Sequence, residues 1–436
     1  MTERTASPRV ALAVATTLFF MWGFITVLND VLIPHLKSVF TLNYAQAMLV
    51  QLIFFGAYFV MSLPSGKLIE RVGYRNGIML GLAVTGIGAL LFLPVARTLS
   101  YPMFLGAFFV LASGITLLQV AANPYVSLLG DPRYASSRLN LAQALNSLGT
   151  TLAPKLGGVL ILGGSVLGAS ELAQLAPAGL LAYRAEQAAL VTGPYLAIAA
   201  TLFVLALVVW LFRLPPLTEA TARADGQRHR IGDLLRHRHL RLGIVAIFLY
   251  VGAEVSIGSF LINYLSMPSI GGIDEATAAG YVSLYWGGAM VGRFAGAALM
   301  RRIDPRRLLG AFAGAAMLLV ACTMATHGGL AMWSIVAIGL FNSIMFPTIF
   351  TTAIEGLGAL TDKASSLLIM AIVGGAVVPV LQGLLADRIG VQLSFVLPLA
   401  CYAFIVHYGH SGSLVRGAAA GDGNEAADAV ILPRSH

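Results

Sequence analysis

Residues 66–75 read GKLIERVGYR and separate two apolar runs, at about 45–65 and 77–96. Each run has the roughly 20 residues that an α-helix needs to cross a lipid bilayer. The stretch between the runs is short, and it carries Lys67, Glu70, Arg71 and Arg75. This pattern predicts a helical hairpin in a membrane, with its charged turn at one surface.

The whole chain has the composition of a membrane protein. Of its 436 residues, 58% are hydrophobic and 11% are charged, whereas soluble domains carry about 25% charged residues. This composition excludes a soluble globular enzyme and fits a transporter or channel. Twelve candidate spans lie at about 10–33, 45–65, 77–96, 101–125, 139–162, 190–212, 242–265, 277–299, 308–326, 330–354, 365–386 and 391–408. We therefore predict an all-α membrane protein with twelve transmembrane helices.

The basic residues predict how the chain lies in the membrane. Connections after even-numbered spans are rich in arginine, including Arg71 and Arg75 after the second span and Arg301 after the eighth. Because basic loops stay in the cytoplasm, both termini are predicted to be cytoplasmic, in a bacterial-type inner membrane. These loops account for the net charge of +8, so we expect no nucleic-acid partner.

The two halves of the chain resemble each other. Three glycine and proline positions of the fifth span recur in the eleventh, each 225 residues later (374−149, 379−154, 383−158). This duplication predicts two pseudo-symmetric six-helix bundles. We place the first bundle at 1–214, a basic cytoplasmic linker at 215–240, the second bundle at 241–410 and a disordered cytoplasmic tail at 411–436.

Several strings resemble those of a known family. The stretch GKLIERVGYR is similar to the signature loop of the major facilitator superfamily, although its second-half counterpart has Met300 in place of the acid. Over most of its length the chain resembles the fucose, galactose and glucose symporter family within that superfamily. The strings concerned are FFMWGFITVLNDVLIPHLK (19–37), LQVAANPYVSLLG (118–130), RLNLAQALNSLG (138–149) and FNSIMFPTIFTTAIEGLG (341–358). The resemblance implies the major facilitator fold, alternating access and cation-coupled import of a monosaccharide.

The signature loop and its counterpart predict a cytoplasmic gate. An acid beside arginines can hold the cytoplasmic faces of two bundles together, and a glycine near a helix end permits close packing. The alternative is simple anchoring of the loops by their positive charge. The predicted gate residues are Gly66, Glu70, Arg71, Arg75 and Arg301.

Three charged residues inside apolar runs are candidates for cation coupling. Asp30 lies late in the first span and Glu254 at the centre of the seventh, where a carboxylate costs about 2.5–3.5 kcal/mol on insertion scales. The resemblance places a cation-coupling aspartate at Asp30, in the LND string. The alternative for each acid is pairing with an arginine or capping of a broken helix. Lys155 either occupies a cation position or extends its ammonium to the membrane surface. The coupling ion is H⁺ or Na⁺.

The chain departs from the fucose-proton member of the family at two positions. That member has a glutamate where this chain has Gln119, and a glutamine where this chain has Glu254. The exchange puts a simple transfer of the proton mechanism in doubt. It also favours glucose or galactose over fucose as the substrate.

Polar and aromatic side chains within the spans are candidates for sugar binding, because hydroxyls need fixed polar partners and the ring needs an apolar face. Gln143 and Asn146 lie three residues apart and share a helical face, and they match polar positions of the family's sugar-binding fifth span. Asn123 either binds sugar or satisfies a carbonyl that Pro124 frees. Trp286 either stacks on the sugar or anchors in lipid. The full set is Gln119, Asn123, Gln143, Asn146, Trp286 and Asn342.

Together these features predict a cation-coupled importer of glucose or galactose that works as a monomer in the lipid bilayer. An L-fucose-proton symporter and a non-transporting membrane sugar sensor are the alternatives. The sequence contains no Ser-His-Asp set, His-rich cluster or pair of carboxylates on one helix. We therefore expect no enzyme activity, no metal site and no cofactor.

Overall fold

The computed structural model describes residues 12–25, 44–98, 100–161, 174–211 and 231–415. Long helices follow the predicted apolar runs through these ranges. The first helix is α1 (Leu12–Ile25). The stretch Tyr44–Leu90 forms α2 and α3, which a bend at Gly73 separates, and Phe92–Thr98 continues α3. The others are α4 (Tyr101–Leu128), α5 (Ala135–Ile161), α6 (Pro177–Leu211), α7 (Arg238–Leu265), α8 (Glu275–Leu299), α9 (Pro305–Ala325), α10 (Gly328–Ala353), α11 (Gly358–Ile389) and α12 (Val391–Gly412).

Length and apolar composition suit these helices to a membrane. Within the described ranges, eight helical stretches are long and apolar enough to cross one, and the longest, Leu52–Thr98, has 47 residues. That length exceeds what one crossing requires, which agrees with its division into α2 and α3. The seventh helix begins at Arg238, inside the predicted linker 215–240.

The predicted loop at 66–75 is largely helical. Helix α2 continues through Glu70, and the chain turns only at Gly73, where φ is 80° and ψ is 166°. Residues other than glycine are strained at such a φ. Gly390 ends α11 with nearly the same angles, φ 84° and ψ 157°, so the two halves turn at equivalent glycines.

Arginines tie the helix ends together in the same way in both halves. Arg75, at the start of α3, donates from Nε to the Val209 carbonyl near the end of α6, at 3.3 Å. In the second half, Arg306 at the start of α9 donates from Nε to the carbonyl of Ser413, just beyond α12, at 3.4 Å. A cation at a helix C-terminus complements its unpaired carbonyls. The predicted duplication is therefore visible in equivalent contacts.

Two Ala-Ser-Ser sequences, 135–137 and 364–366, join the bundles. In the first, Ser136 Oγ lies 2.6 Å from Thr351 Oγ1 on α10, and Ser137 donates to the Ala297 carbonyl on α8 at 2.6 Å. In the second, Ser365 donates to the Val120 carbonyl on α4 at 3.0 Å. Ser366 packs directly against Gly66 on α2. The starts of α5 and α11 thus make equivalent cross-bundle contacts.

The Ser136 contact predicts a cross-link that locks the bundles together. In a background with Cys322 and Cys401 replaced by alanine, Ser136→Cys combined with Thr351→Cys should form a disulfide on oxidation. Transport should stop on oxidation and return on reduction, because rocking of one bundle against the other must separate these helices. Gel mobility and uptake measure the two effects, and each single variant is the control. Full transport by the oxidised, cross-linked protein would contradict this expectation.

Candidate functional site

A break in α10 exposes a carbonyl at the centre of the protein. The helical segments Gly328–Asn342 and Met345–Ala353 are separate. Pro347 has no N–H, so the carbonyl four residues earlier, that of Ser343, has no partner within the helix. Arg293 on α8 donates from Nε to this carbonyl at 3.2 Å. The proline therefore creates the acceptor that holds the arginine.

Arg293 also contacts the opposite bundle. Its Nη1 donates to the Gln143 carbonyl on α5 at 3.4 Å and bonds the hydroxyl of Ser147, one turn further along α5. Its Nη2 lies 4.0 Å from Glu254 Oε1 on α7. The single guanidinium thus meets α5, α7 and α10.

Glu254 is buried and incompletely satisfied. Its side chain is 11% exposed, and its Oε1 has no hydrogen-bond partner among the described residues. Tyr250, one turn earlier on α7, lies beside the carboxylate. A buried carboxylate near a cation, with one oxygen still free, can accept a hydrogen bond from a ligand or a proton.

A chain of hydrogen bonds surrounds Asn342 next to this pair. Asn342 donates from Nδ2 to the Tyr285 hydroxyl at 2.7 Å and accepts from the Tyr402 hydroxyl at 2.6 Å. Tyr285 in turn donates to the Glu254 carbonyl at 3.3 Å. The predicted sugar ligand Asn342 is therefore occupied by two tyrosines from α8 and α12.

The first bundle contributes a second chain of polar side chains. Gln119 on α4 donates from Nε2 to the Tyr58 hydroxyl on α2 at 2.5 Å. Trp22 on α1 also bonds to this hydroxyl. The Oε1 of Gln119 has no partner within the described residues. The contacts join α1, α2 and α4 and leave one buried acceptor free.

The two predicted ligands on α5 have different surroundings. Asn146 donates to the Phe19 carbonyl on α1 at 2.9 Å, where Gly23 allows the two helices to approach closely. Gln143 is 4% exposed, and its Nε2 is unpaired in the described part of the chain. Gln143 therefore retains a free donor, whereas Asn146 holds α1 in place.

Asn123 does not satisfy the carbonyl that Pro124 frees. That carbonyl belongs to Val120, and Ser365 from the opposite bundle donates to it. Asn123 is fully buried, and both polar atoms of its side chain lack partners among the residues described. Ser365, rather than Asn123, therefore satisfies the carbonyl that Pro124 frees.

The predicted gate residues differ in their contacts. Glu70 lies 3.4 Å from Lys363 Nζ on α11, and Gly66 packs against Ser366 on the same helix. Arg75 instead contacts the end of α6 in its own bundle. Arg71 and Arg301 are exposed. Lys363 was not predicted, and it lies two residues before the predicted eleventh span, 365–386.

The last three predicted residues are Asp30, Lys155 and Trp286. Asp30 lies outside the described residues, and so does the side chain of Lys155, whose backbone belongs to α5. Trp286 is 38% exposed and packs beside Gly258 of α7. Its neighbour Tyr285, rather than Trp286 itself, enters the hydrogen-bond chain around Asn342.

The sequence reasoning missed the residue with the most central contacts, Arg293. It lies in the apolar run 277–299, so the rule that singled out Asp30 and Glu254 applies to it equally. Tyr58 and Tyr402 carry no sequence signal that separates them from other tyrosines in apolar runs.

Comparison with known proteins gives the family. The model of the Major Facilitator Superfamily matches residues 11–372. The chain belongs to the major facilitator superfamily. A glucose/galactose transporter of Brucella abortus is 53% identical over 92% of this chain and 94% of its own length. The L-fucose-proton symporter of Escherichia coli is 34% identical over 91% of each chain.

The superfamily fold is also found in solved structures. The crystal structure of the transporter FucP in the outward conformation aligns with a TM-score of 0.88, at 33% identity, over 94% of this chain and all of that one. The predicted family and its twelve-helix fold are confirmed, and the relatives are transporters rather than enzymes. The protein is thus a multi-pass membrane transporter of this superfamily.

The hydrogen-bond chain around Asn342 predicts a large cost for its loss. Asn342→Ala removes the acceptor of the Tyr402 hydroxyl and leaves the Tyr285 hydroxyl only its bond to the Glu254 carbonyl, and an unsatisfied buried group costs about 1–3 kcal/mol. We expect a clear fall in the midpoint of thermal unfolding in detergent. Asn76→Ala is the matched control, because Asn76 is exposed and its amide bonds to the Val72 carbonyl across the bend at Gly73. Equal midpoints for the two variants would contradict the prediction.

Proposed function

We propose that this protein imports glucose and galactose together with protons by alternating access. The observation that carries the proposal is the cluster of free polar atoms between the bundles: Glu254 Oε1 and Gln143 Nε2 are buried and unpaired within the described residues, and Arg293 contacts both residues. Buried polar groups are normally satisfied. A polyhydroxylated ligand bound at this buried centre would supply the missing partners.

The substrate class rests on the relatives and on this chemistry. The relative that is 53% identical is a glucose/galactose transporter, whereas the L-fucose-proton symporter is more distant, at 34% identity. A neutral hexose offers hydroxyls that both donate and accept, as a donor amide beside a carboxylate requires. We assign Gln143, Glu254 and Gln119 as sugar contacts. Asn123, Asn146, Asn342 and Trp286 remain predicted members of the same site.

The surroundings of Glu254 favour a proton over sodium as its ligand. The Arg293 guanidinium lies 4.0 Å from Glu254 Oε1 and this oxygen is buried, which leaves little room for a sodium ion and the further oxygen ligands that it needs. A proton needs no room of its own and neutralises the carboxylate. The Escherichia coli relative is an L-fucose-proton symporter, which supports the same choice. Asp30 is the second proposed coupling acid, and the role of Lys155 stays a prediction.

Opening to the cytoplasm must separate the two Ala-Ser-Ser sequences from their partners. The Glu70–Lys363 ion pair at 3.4 Å belongs to the same interface, and we propose it as part of the cytoplasmic gate. Sugar and proton bound together shift the population toward the opened state. The cytoplasmic location of both termini, the bacterial inner membrane, the domain limits 1–214, 215–240, 241–410 and 411–436, and the monomeric state belong to this proposal.

Uptake into proteoliposomes tests the coupling. An inward proton gradient should drive accumulation of labelled glucose and galactose, and a sodium gradient alone should not. Glu254→Gln and Asp30→Asn should abolish accumulation, because neither variant can carry the proton. Both should retain exchange of internal for external sugar, which would also exclude a non-transporting sensor.

Glu355→Gln provides the matched control for these variants. Glu355 pairs with Arg306 at 2.5 Å on an exposed surface, so the same chemical change there should leave accumulation intact. Accumulation driven by sodium, or full accumulation by Glu254→Gln and Asp30→Asn together, would overturn the proton assignment. Accumulation of L-fucose but not of hexoses would identify the alternative substrate.

The free amide of Gln143 predicts a substrate-affinity effect. Gln143→Ala removes one donor to the sugar, and a lost hydrogen bond of this kind should raise the KM for galactose roughly tenfold. The Arg293 contact uses the backbone carbonyl of residue 143, which the substitution preserves. Initial-rate exchange measures the change, with Asn76→Ala as control. An unchanged KM would remove Gln143 from the site.

A further inference from the structure

The distance between Arg293 and Glu254 is unusual for a buried ion pair. Nη2 and Oε1 are 4.0 Å apart, and the two side chains are only 12% and 11% exposed. Direct hydrogen bonds between such groups are about 2.7–2.9 Å long. The two charges attract each other, yet no direct hydrogen bond joins them.

The separation follows from how each partner is held. Arg293 uses Nε on the Ser343 carbonyl of α10 and Nη1 on Ser147 and the Gln143 carbonyl of α5. Because a guanidinium is planar, these contacts fix the position of Nη2. On the other side, the Tyr285 hydroxyl bonds the backbone carbonyl of Glu254. Arg293 cannot close the gap without giving up an existing bond, and the Tyr250 hydroxyl lies beside the Glu254 carboxylate on the other side.

The gap has the dimensions of one bridging hydroxyl. With hydrogen bonds of about 2.8 Å from Nη2 and about 2.7 Å to Oε1, an oxygen spanning 4.0 Å would have an angle of about 93° between its two partners. A hydroxyl has one donor and two acceptor positions. It can therefore accept from the guanidinium and donate to the carboxylate at the same time.

We propose that Arg293 and Glu254 form a specificity subsite that binds one hydroxyl of the sugar between them. This inference rests on the proposed transport of glucose and galactose. In the empty carrier a water molecule takes the same place, and the sugar displaces it. A sugar without that hydroxyl leaves both charged groups without the bridge. The pair therefore selects for one position of the ring rather than for hexoses in general.

Exchange inhibition by deoxy sugars tests the subsite. In proteoliposomes without any ion gradient, the 2-, 3-, 4- and 6-deoxy analogues of galactose compete with labelled galactose. Because both bonds of the bridge are charge-assisted, one analogue should inhibit the wild type about 10- to 100-fold more weakly than galactose does. In Glu254→Gln this penalty should fall to roughly its three-quarter power, because one of the two bonds becomes neutral and bonds to charged groups are about twice as strong as neutral ones.

Two further variants complete the experiment. Arg293→Lys keeps the charge but loses the fixed fork, so it should reduce the penalty for the same analogue. Glu355→Gln makes the matching change at a distant surface ion pair and should keep the wild-type profile. The penalties for the other analogues should be unaltered in every variant, because those hydroxyls bind elsewhere.

The possible results separate the inference from the proposed function. A selective loss of one analogue's penalty in Glu254→Gln or Arg293→Lys supports the subsite. A wild type that penalises no analogue more than about threefold, or variants that both keep the wild-type profile, overturns it while leaving transport established. If the wild type exchanges neither glucose nor galactose, the proposed function itself fails.

Discussion

The centre of this protein depends on the contacts that the guanidinium of Arg293 makes. A cation inside a bilayer has to be satisfied by the protein itself, and Arg293 meets a carbonyl on α10, a hydroxyl on α5 and a carboxylate on α7. Each partner belongs to a different helix. Without the arginine, the Ser343 carbonyl and the Glu254 carboxylate would be left without their cationic partner at the same place. The positions of these helices are therefore set together.

Both halves of the chain use proline to expose a carbonyl at this level, but they satisfy it differently. Pro124 frees the carbonyl of Val120, which accepts from the neutral hydroxyl of Ser365. Pro347 frees the carbonyl of Ser343, which accepts from Arg293. Both halves thus have a carbonyl freed by proline but differ in the group that donates to it. This difference gives the second bundle an ion pair and leaves the first bundle with neutral amides such as Gln119.

The sequence predicted what depends on local pattern and missed what depends on packing. Hydropathy placed the helices, and the glycine and proline matches predicted the duplication. Hydropathy did not show that 66–75 is mainly helix, because charged residues at the end of a membrane helix resemble a loop. The contact between Arg293 and Gln143 joins residues 150 positions apart, and no periodicity in the chain predicts it. Glu254 was identified from its apolar surroundings, but its distance from a cation could come only from the fold.

The distribution of strong and weak contacts suits a protein that must visit two conformations. Between the bundles, the bonds of Ser136 and Ser137 are neutral hydrogen bonds, each worth about 0.5–1.5 kcal/mol net. The partly exposed Glu70–Lys363 pair adds about 0–1 kcal/mol. Reversing a two-state equilibrium from 1:99 to 99:1 takes about 5.5 kcal/mol of differential ligand binding, so a few such bonds leave the switch within reach of a ligand.

The charged pair lies within one bundle and so avoids this cost. Arg293 on α8 and Glu254 on α7 move together when the bundles rock, and the links from Arg293 to α5 are to a hydroxyl and a backbone carbonyl. Separation of the bundles breaks only these bonds to neutral acceptors. Had the carboxylate been on α5 instead, each cycle would separate two buried charges, at about 3–5 kcal/mol for the unpaired ion. The placement of Glu254 beside Arg293 in the same bundle therefore keeps the two groups together when the bundles separate.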